Sequence, residues 1–326
     1  MIAAIDAVGN PSSVHAEGRV ATGIVERARA QVAAAFGAEG ADIVFTSSAT
    51  EAAALALCGR GLAGALVEHE AVAVWVSDDL AVDGWGRVGV CDPTGSAVQL
   101  ANSETGVLQD LLEGVAVCDA TQGWGKLPVA FNWMGAQMAL ASAHKLGGPK
   151  GVGALILRRG TDLAAQLKGG GQEMGRRAGT ENVIGIAGFG AAAEAAAQDL
   201  EAGVWAKVEK LRNILENALA ATADQTIFVG KGARRLPNTS CFATPGWKGE
   251  TQVMAMDLAG FAISAGSACS SGKVRESRVL RAMGYDAVTA RSAIRVSLGP
   301  TTTESEIGRF IDAWSLAHRK FRARAA

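Results

Sequence analysis

No apolar run in the chain reaches the length needed to cross a bilayer, and only 19% of the residues are charged while 49% are hydrophobic. The first absence excludes a membrane-spanning helix, and the high apolar content excludes a disordered chain. A formal net charge of -1 gives no general attraction for nucleic acid, and the basic tail HRKFRARAA is short enough to be a solvated helix end. Cys58, Cys91, Cys118, Cys241 and Cys269 are an odd number, widely spread and without a CxxC pair. Neither a disulfide framework nor a metal site is indicated, and free thiols are expected. The stretch MIAAIDAVGNPSS lacks the basic and long apolar regions of a secretory signal, which makes the cytoplasm the default location. No internal repeat or low-complexity linker interrupts the 326 residues, a length that suits one large and one smaller domain.

What the sequence does contain is alternation. The short apolar runs DIVFT, ALVEH, AVQLA, VAVCDA, MALASA and GALILR alternate with Gly-rich or helical stretches over residues 42–158. This rhythm predicts an α/β unit whose mostly parallel sheet is covered by helices, with ligands gathered beyond the carboxyl ends of the strands. From Gly188 to about Ala220 the pattern predicts one long alanine-rich helix with an apolar stripe at Val204, Val208, Leu211 and Leu215, placed to link two domains. The remainder, through LPNTSCFATPG, ETQVMAMDLAG, FAISAGSACSSG and SAIRVSLG, mixes short strands and helices as a smaller α+β domain would. The expected division is residues 9–200 and 201–326, with residues 1–8 joining the smaller part.

Three stretches carry candidate chemistry. FTSSATEAA follows a strand and opens a helix, with Ser48 and Glu51 in capping-box spacing. It is either a helix cap alone or a phosphate seat, built from helix-start amides, the Thr50 hydroxyl and the helix dipole. Neither GGPKG nor GGGQEMG fits the GxxxxGK[ST] nucleotide loop. VAVCDATQGWGK puts Asp119 at the end of a buried strand, with Gln122 three residues on. That carboxylate either caps the following turn or faces a protonated heterocyclic nitrogen, because its desolvation has to be offset. ALASAHKLGGPKG ends the next strand at Ser142, His144 and Lys145. A lone lysine in such a loop is commonly solvated, yet the small residues around Lys145 predict burial, and a desolvated lysine suits Schiff-base chemistry. Phosphate seat, acidic partner and strand-end lysine on one sheet are the parts that hold pyridoxal phosphate.

With GNPSSVH, EHEAV, ANSETGVLQD, GGGQEMGRRAGTEN, SAGSACSSG and SAIRVSLG added, these stretches span residues 9–299. In that order the chain resembles the group I cysteine desulfurases, class V aminotransferase relatives among the fold-type I pyridoxal-phosphate enzymes. The resemblance implies that Lys145 is the cofactor's covalent anchor, that Asp119 pairs with the ring nitrogen and that His69 stacks on the ring. It implies that Gln122 bonds the ring hydroxyl, that Asn102 contacts the cofactor, and that Thr50, Ser142 and His144 hold the phosphate. Thr180 would reach the phosphate of a neighbouring subunit, which implies a homodimer. Asn10 and Arg295 would hold the substrate carboxylate, and Cys269 would be the nucleophile. The plainer alternatives are a core histidine at His69 and a structural ion pair at Arg295. The implied reaction converts L-cysteine to L-alanine, with a persulfide on Cys269 destined for a sulfur-acceptor protein such as an iron–sulfur scaffold. SACSSGKVRESRVLRAMG is polar and rich in small residues, which predicts a mobile loop.

The chain also departs from that family. Its usual N-terminal strand is missing, Ser103 stands where a second asparagine is usual, and about 14 residues separate AVQL from VAVCD. That spacing is near the minimum for a parallel crossover, so a family helix is expected to be lost or cut to a turn. Two rivals follow: another class V transaminase or a selenocysteine lyase, and a catalytically weak relative acting as a scaffold in sulfur trafficking.

Overall fold

Apolar runs of three to five residues bounded by turns are too short for helices, and strands buried on both faces satisfy them best. The computed structural model describes residues 1–266 and 276–325, and in it the chain forms two units. The first comprises residues 1–80, 90–101 and 109–202. Its elements are α1 (Ile2–Ile5), α2 (Ala16–Ala35), β1 (Asp42–Thr46), α3 (Ala49–Leu57), β2 (Ala63–Ala65), α4 (Glu70–Ala73), β3 (Ser77–Leu80), β4 (Ala97–Gln99), β5 (Val117–Asp119), β6 (Met138–Ser142), β7 (Gly153–Leu157) and α5 (Val183–Glu201). The main sheet has the order β1-β7-β6-β5-β4. β4, β5 and β6 run parallel, while β7 runs against both β6 and β1. β2 pairs in parallel with β3 and bridges toward β4 through Ala63 and Ser96.

The period-two alternation of the strands divides the interior into two layers. Ala139 and Ala141 of β6 join α2 and α5 side chains, including Val25, Val32, Ile186 and Phe189, whereas Met138 and Leu140 join Ala52, Leu55 and Ala56 of α3 on the opposite face. Since β1 and β6 are both antiparallel to β7, β1 has the same direction as β4, β5 and β6. Their carboxyl ends therefore form one edge.

The second unit, residues 81–89, 102–108 and 203–326, holds α6 (Val204–Thr222), β8 (Ile227–Phe228), β9 (Thr239–Ala243), α7 (Gly249–Leu258), β10 (Ser264–Ala265), α8 (Arg278–Ala282), α9 (Ala287–Ser292), β11 (Ala293–Ser297) and α10 (Glu304–Ala325). Its antiparallel sheet has the order β10-β11-β9-β8, and its core gathers Phe242, Trp247, Phe310 and Trp314.

Several expectations need correction. The helix expected over 188–220 is two helices, because Gly203 adopts a left-handed φ of 68° between α5 and α6. The predicted stripe does face a core: Val208 and Leu215 are buried, with Val204 and Leu211 packed alongside. The strand expected in ALVEH stops at Ala65, and the chain then turns into the cap of α4. Residues 1–8 group with the first unit rather than the smaller one, since α1 packs on α5 and the Met1 side chain lies over Gly188. Within the segment predicted as a mobile loop, residues 278–282 form α8, capped by the Ser277 hydroxyl. The short crossover, in contrast, is as expected: no helix lies between β4 and β5, where residues 102–108 belong to the second unit and Val107 bridges Arg235.

One position decides how closely α3 can approach the sheet edge. Gly153 opens β7 between its register partners Thr46 and Ser142. A Cβ there would lie 2.6 Å from the Ser48 carbonyl carbon and 2.6 Å from the Ala141 oxygen, both backbone atoms that cannot swing aside. Gly153→Ala should therefore destabilise the protein by about 1–3 kcal/mol, the usual cost of overpacking, measured as a lower denaturant midpoint at unchanged slope; an unchanged midpoint would show that the contact is slack.

Candidate active site

The edge formed by the carboxyl ends of β1, β4, β5 and β6 collects most of the residues singled out in the sequence. Thr50 sits in the first turn of α3, exposed, and the Ser48 side chain makes no cap hydrogen bond to that turn. The capping box expected from Ser48 and Glu51 does not form: Glu51 Oε2 accepts the Ser47 amide at 2.8 Å instead. Glu51 also receives Arg177 Nε at 2.8 Å. Burial acts to raise the Glu51 pKa, but the Arg177 and Ser47 hydrogen bonds outweigh it and hold the carboxyl below its ordinary range. Across Gly153, Ser142 is buried at the end of β6 and its hydroxyl hydrogen-bonds His144 Nδ1 at 3.0 Å. Burial, followed by the charges of Lys145 and Lys150, pushes the His144 imidazole below its ordinary pKa and favours the neutral ring.

Asp119 ends β5, and its Oδ1 accepts the Thr121 amide at 3.0 Å, so it does cap the following turn. Its Oδ2 has no hydrogen bond among the described residues, which leaves one carboxylate oxygen for a further cation or donor. Gln122 lies in that turn, half-buried. His69 is no core histidine: it is exposed at the start of α4 and its Nδ1 accepts the Ala71 amide at 3.1 Å. The loop before it is held by Glu68, whose Oε1 takes the Gln99 amide at 3.0 Å at the end of β4. Asn10 is exposed, with Oδ1 on the Ser12 amide.

Lys145 lies in the 3₁₀ turn Ala143–Lys145 directly after β6. It is exposed, against the expectation of burial, because the turn carries it past the last buried residue, Ala143. The buried lysine of this edge is Lys126, which the sequence reasoning passed over inside DATQGWGKLP. Thr180 is exposed at the end of a segment fixed by three arginine–carboxylate pairs, Arg29–Glu173, Arg176–Asp42 and Arg177–Glu51, at 2.9, 2.8 and 2.8 Å.

The second unit carries Arg295 and Asn102. Arg295 Nη1 donates to the Ser103 carbonyl at 2.5 Å and Nη2 to Ser264 Oγ at 3.1 Å, while its buried Nε has no partner among the described residues. The structural ion pair considered as an alternative is absent among the described residues. Asn102 is buried, and its Oδ1 accepts the Glu104 and Thr105 amides at 2.9 and 2.8 Å. That oxygen is committed to its own turn. Cys269 lies outside the described residues. Of the other cysteines, Cys118 and Cys241 are buried and their thiol pKa values are pushed up by burial, Cys58 is half-buried and Cys91 is exposed.

An uncapped helix start beside Thr50, Ser142 and His144 suits a phosphate ester, and the second Asp119 oxygen suits a protonated ring nitrogen. With Lys145 at the same edge, the donor set fits pyridoxal phosphate. Among the described residues no cluster of potential ligands could hold a metal ion, and no helix is long and apolar enough to cross a membrane.

Known proteins resemble this chain in sequence and in fold. A cysteine desulfurase of Klebsiella pneumoniae is 39% identical over 93% of this chain and 84% of its own length. One from Frankia sp. (strain EuIK1) is 43% identical over 91% of this chain and 82% of its own. The X-ray structure of a NifS-like protein from Rickettsia africae ESF-5 superposes with a TM-score of 0.87 at 30% identity, covering 98% of this chain and 94% of that one. The aminotransferase class-V profile matches residues 4–81 and 89–310, and the chain belongs to that family.

Proposed function

We propose that the protein is a pyridoxal-phosphate-dependent cysteine desulfurase that converts L-cysteine to L-alanine and leaves a persulfide on Cys269. The observation that carries this reading is the convergence of Thr50, Asp119, Ser142, His144 and Lys145 on one strand edge, in a chain whose relatives, at 36–43% identity, are cysteine desulfurases. When bound, the cofactor supplies an electron sink for the substrate Cα. Thr50, Ser142 and His144 hold its phosphate, a neutral His144 acting as a hydrogen-bonding group rather than as a charge. Asp119 keeps the ring nitrogen protonated, Gln122 and Asn102 serve the ring hydroxyl side, and His69 covers the ring face. Lys145 Nζ anchors the cofactor and, once released, moves the Cα proton. Asn10 and Arg295 take the substrate carboxylate; the guanidinium is already oriented by the Ser103 carbonyl and Ser264, and its Nε is left to be satisfied.

The Cys269 thiolate then attacks the substrate sulfur. An S–S bond forms, the C–S bond breaks, and its electron pair returns to the substrate carbons, which are reprotonated to alanine. The persulfide passes to an acceptor protein such as an iron–sulfur scaffold. In this reading the enzyme is a cytoplasmic homodimer in which Thr180 serves the neighbouring subunit's phosphate.

Three substitutions test the assignment. Lys145→Ala should abolish covalent fixation of the cofactor by borohydride; fixation equal to wild type would move the anchor elsewhere. Asp119→Asn should retain cofactor but slow turnover by about a hundredfold or more, because a neutral ring withdraws electrons poorly. An unchanged rate of Cα proton exchange in that variant would contradict the role of Asp119. Cys269→Ser should still bind cofactor and cysteine while making no persulfide and almost no alanine. In wild type, sulfane sulfur should map to Cys269 and not to the exposed Cys91. Alanine release by the serine variant at the wild-type rate would mean a lyase that bypasses the persulfide.

A further inference from the structure

Lys126 has no part in the reaction described above, yet it is only 8% exposed. Its Nζ donates to the Gln122 carbonyl at 2.9 Å and to the Lys145 carbonyl at 3.0 Å. These two carbonyls belong to different turns. One follows β5 and presents Asp119 and Gln122; the other follows β6 and presents His144 and Lys145. The turns also meet through Gly125, which has a positive φ of 75° and where a Cβ would sit 3.1 Å from the Leu146 Cβ. A buried ammonium is costly unless its donors are used, and here two of its three are spent on backbone oxygens.

We propose that Lys126 is a positioning residue: its amine ties the backbone of Lys145 to that of Gln122 and so fixes the two side chains relative to one another. The inference rests on the reading of Lys145 as the cofactor's anchor. It has an electrostatic counterpart. Burial, and after it the charge of Lys145, lowers the Lys126 pKa from 10.5 to about 8. A repulsion is mutual, so the Lys126 charge opposes a cation on the Lys145 side chain equally. His144 on the same turn is a further basic group, its pKa lowered by burial and then by the charges of Lys145 and Lys150. Removing the Lys126 charge should therefore let a cation persist at Lys145 to higher pH.

The test compares purified wild type, Lys126→Met, which lacks both donors and charge, and Lys126→Gln, which keeps an amide donor without charge. Each is stripped of cofactor and reloaded with pyridoxal phosphate; the readouts are the binding constant and the pH midpoint of the visible absorption change at the lysine–cofactor link. Lys126→Met should bind about tenfold more weakly, the scale of losing charge-assisted hydrogen bonds. Its midpoint should rise. Lys126→Gln should recover part of the affinity while keeping the raised midpoint. If Lys126→Met or, should that variant fail to fold, Lys126→Gln matches wild type in both readouts and loses only thermal stability, Lys126 is merely structural and the inference is overturned. If wild type itself forms no borohydride-reducible link at Lys145, the parent reading falls and this inference with it; a normal wild-type link confines the failure to Lys126.

Discussion

The backbone contact over Gly153 is the constraint on which the candidate site depends. Helix α3 covers the sheet with Ala52, Leu55 and Ala56, and a helix so rich in small residues lies close to the strands beneath it. At its first turn that closeness brings the Ser48 backbone onto β7, at a position where even a methyl group would collide with main chain. Only this approach sets Thr50 and the helix-start amides beside Ser142 and His144. A helix displaced by a side chain at 153 would leave the same residues in place along the sequence but separated in space, with the dipole pointing past the anion it would hold.

Electrostatics and strain then hold what packing has brought together. Glu173 and Met174 adopt left-handed φ values of 50° and 60°, a costly state for residues with side chains. Their turn persists because the Glu173 carboxylate is saturated: it accepts Arg29 Nη1 and Nη2 at 2.9 and 3.0 Å and the Phe45 amide at 2.9 Å. A carboxylate 5% exposed and stripped of such a partner would cost about 3–5 kcal/mol, comparable to the roughly 1–3 kcal/mol of strain at each of the two residues. Arg176 and Arg177 extend the same fastening to Asp42 and Glu51, so the start of β1, the start of α3 and the segment bearing Thr180 are joined by one set of charges.

Much of this was legible in the sequence because period and punctuation carry it. Alternating buried runs gave the sheet, and an acidic residue and a lysine at successive strand ends pointed to a cofactor edge. What local pattern could not supply were relations between segments. The break at Gly203 is one glycine in an alanine-rich stretch that favours continuing the helix, and its left-handed φ is invisible to periodicity. Lys145 is exposed against expectation, and the burial of Lys126 went unread, because neighbouring small residues do not say which way a turn faces. Nothing in the run that Gly153 opens reveals Ser48 above it. Arg29 and Glu173 are 144 residues apart, and no spacing rule joins them.

The most direct test of the central claim follows a single sample through one reaction. Wild-type protein reloaded with pyridoxal phosphate should show a visible absorption band that shifts on adding L-cysteine, with alanine appearing in a one-to-one ratio to protein-bound persulfide before any reductant is supplied, and with sulfide once it is. A protein that takes up the cofactor and shifts its band yet yields neither alanine nor persulfide would contradict the account and leave the strand edge as a binding site without this chemistry.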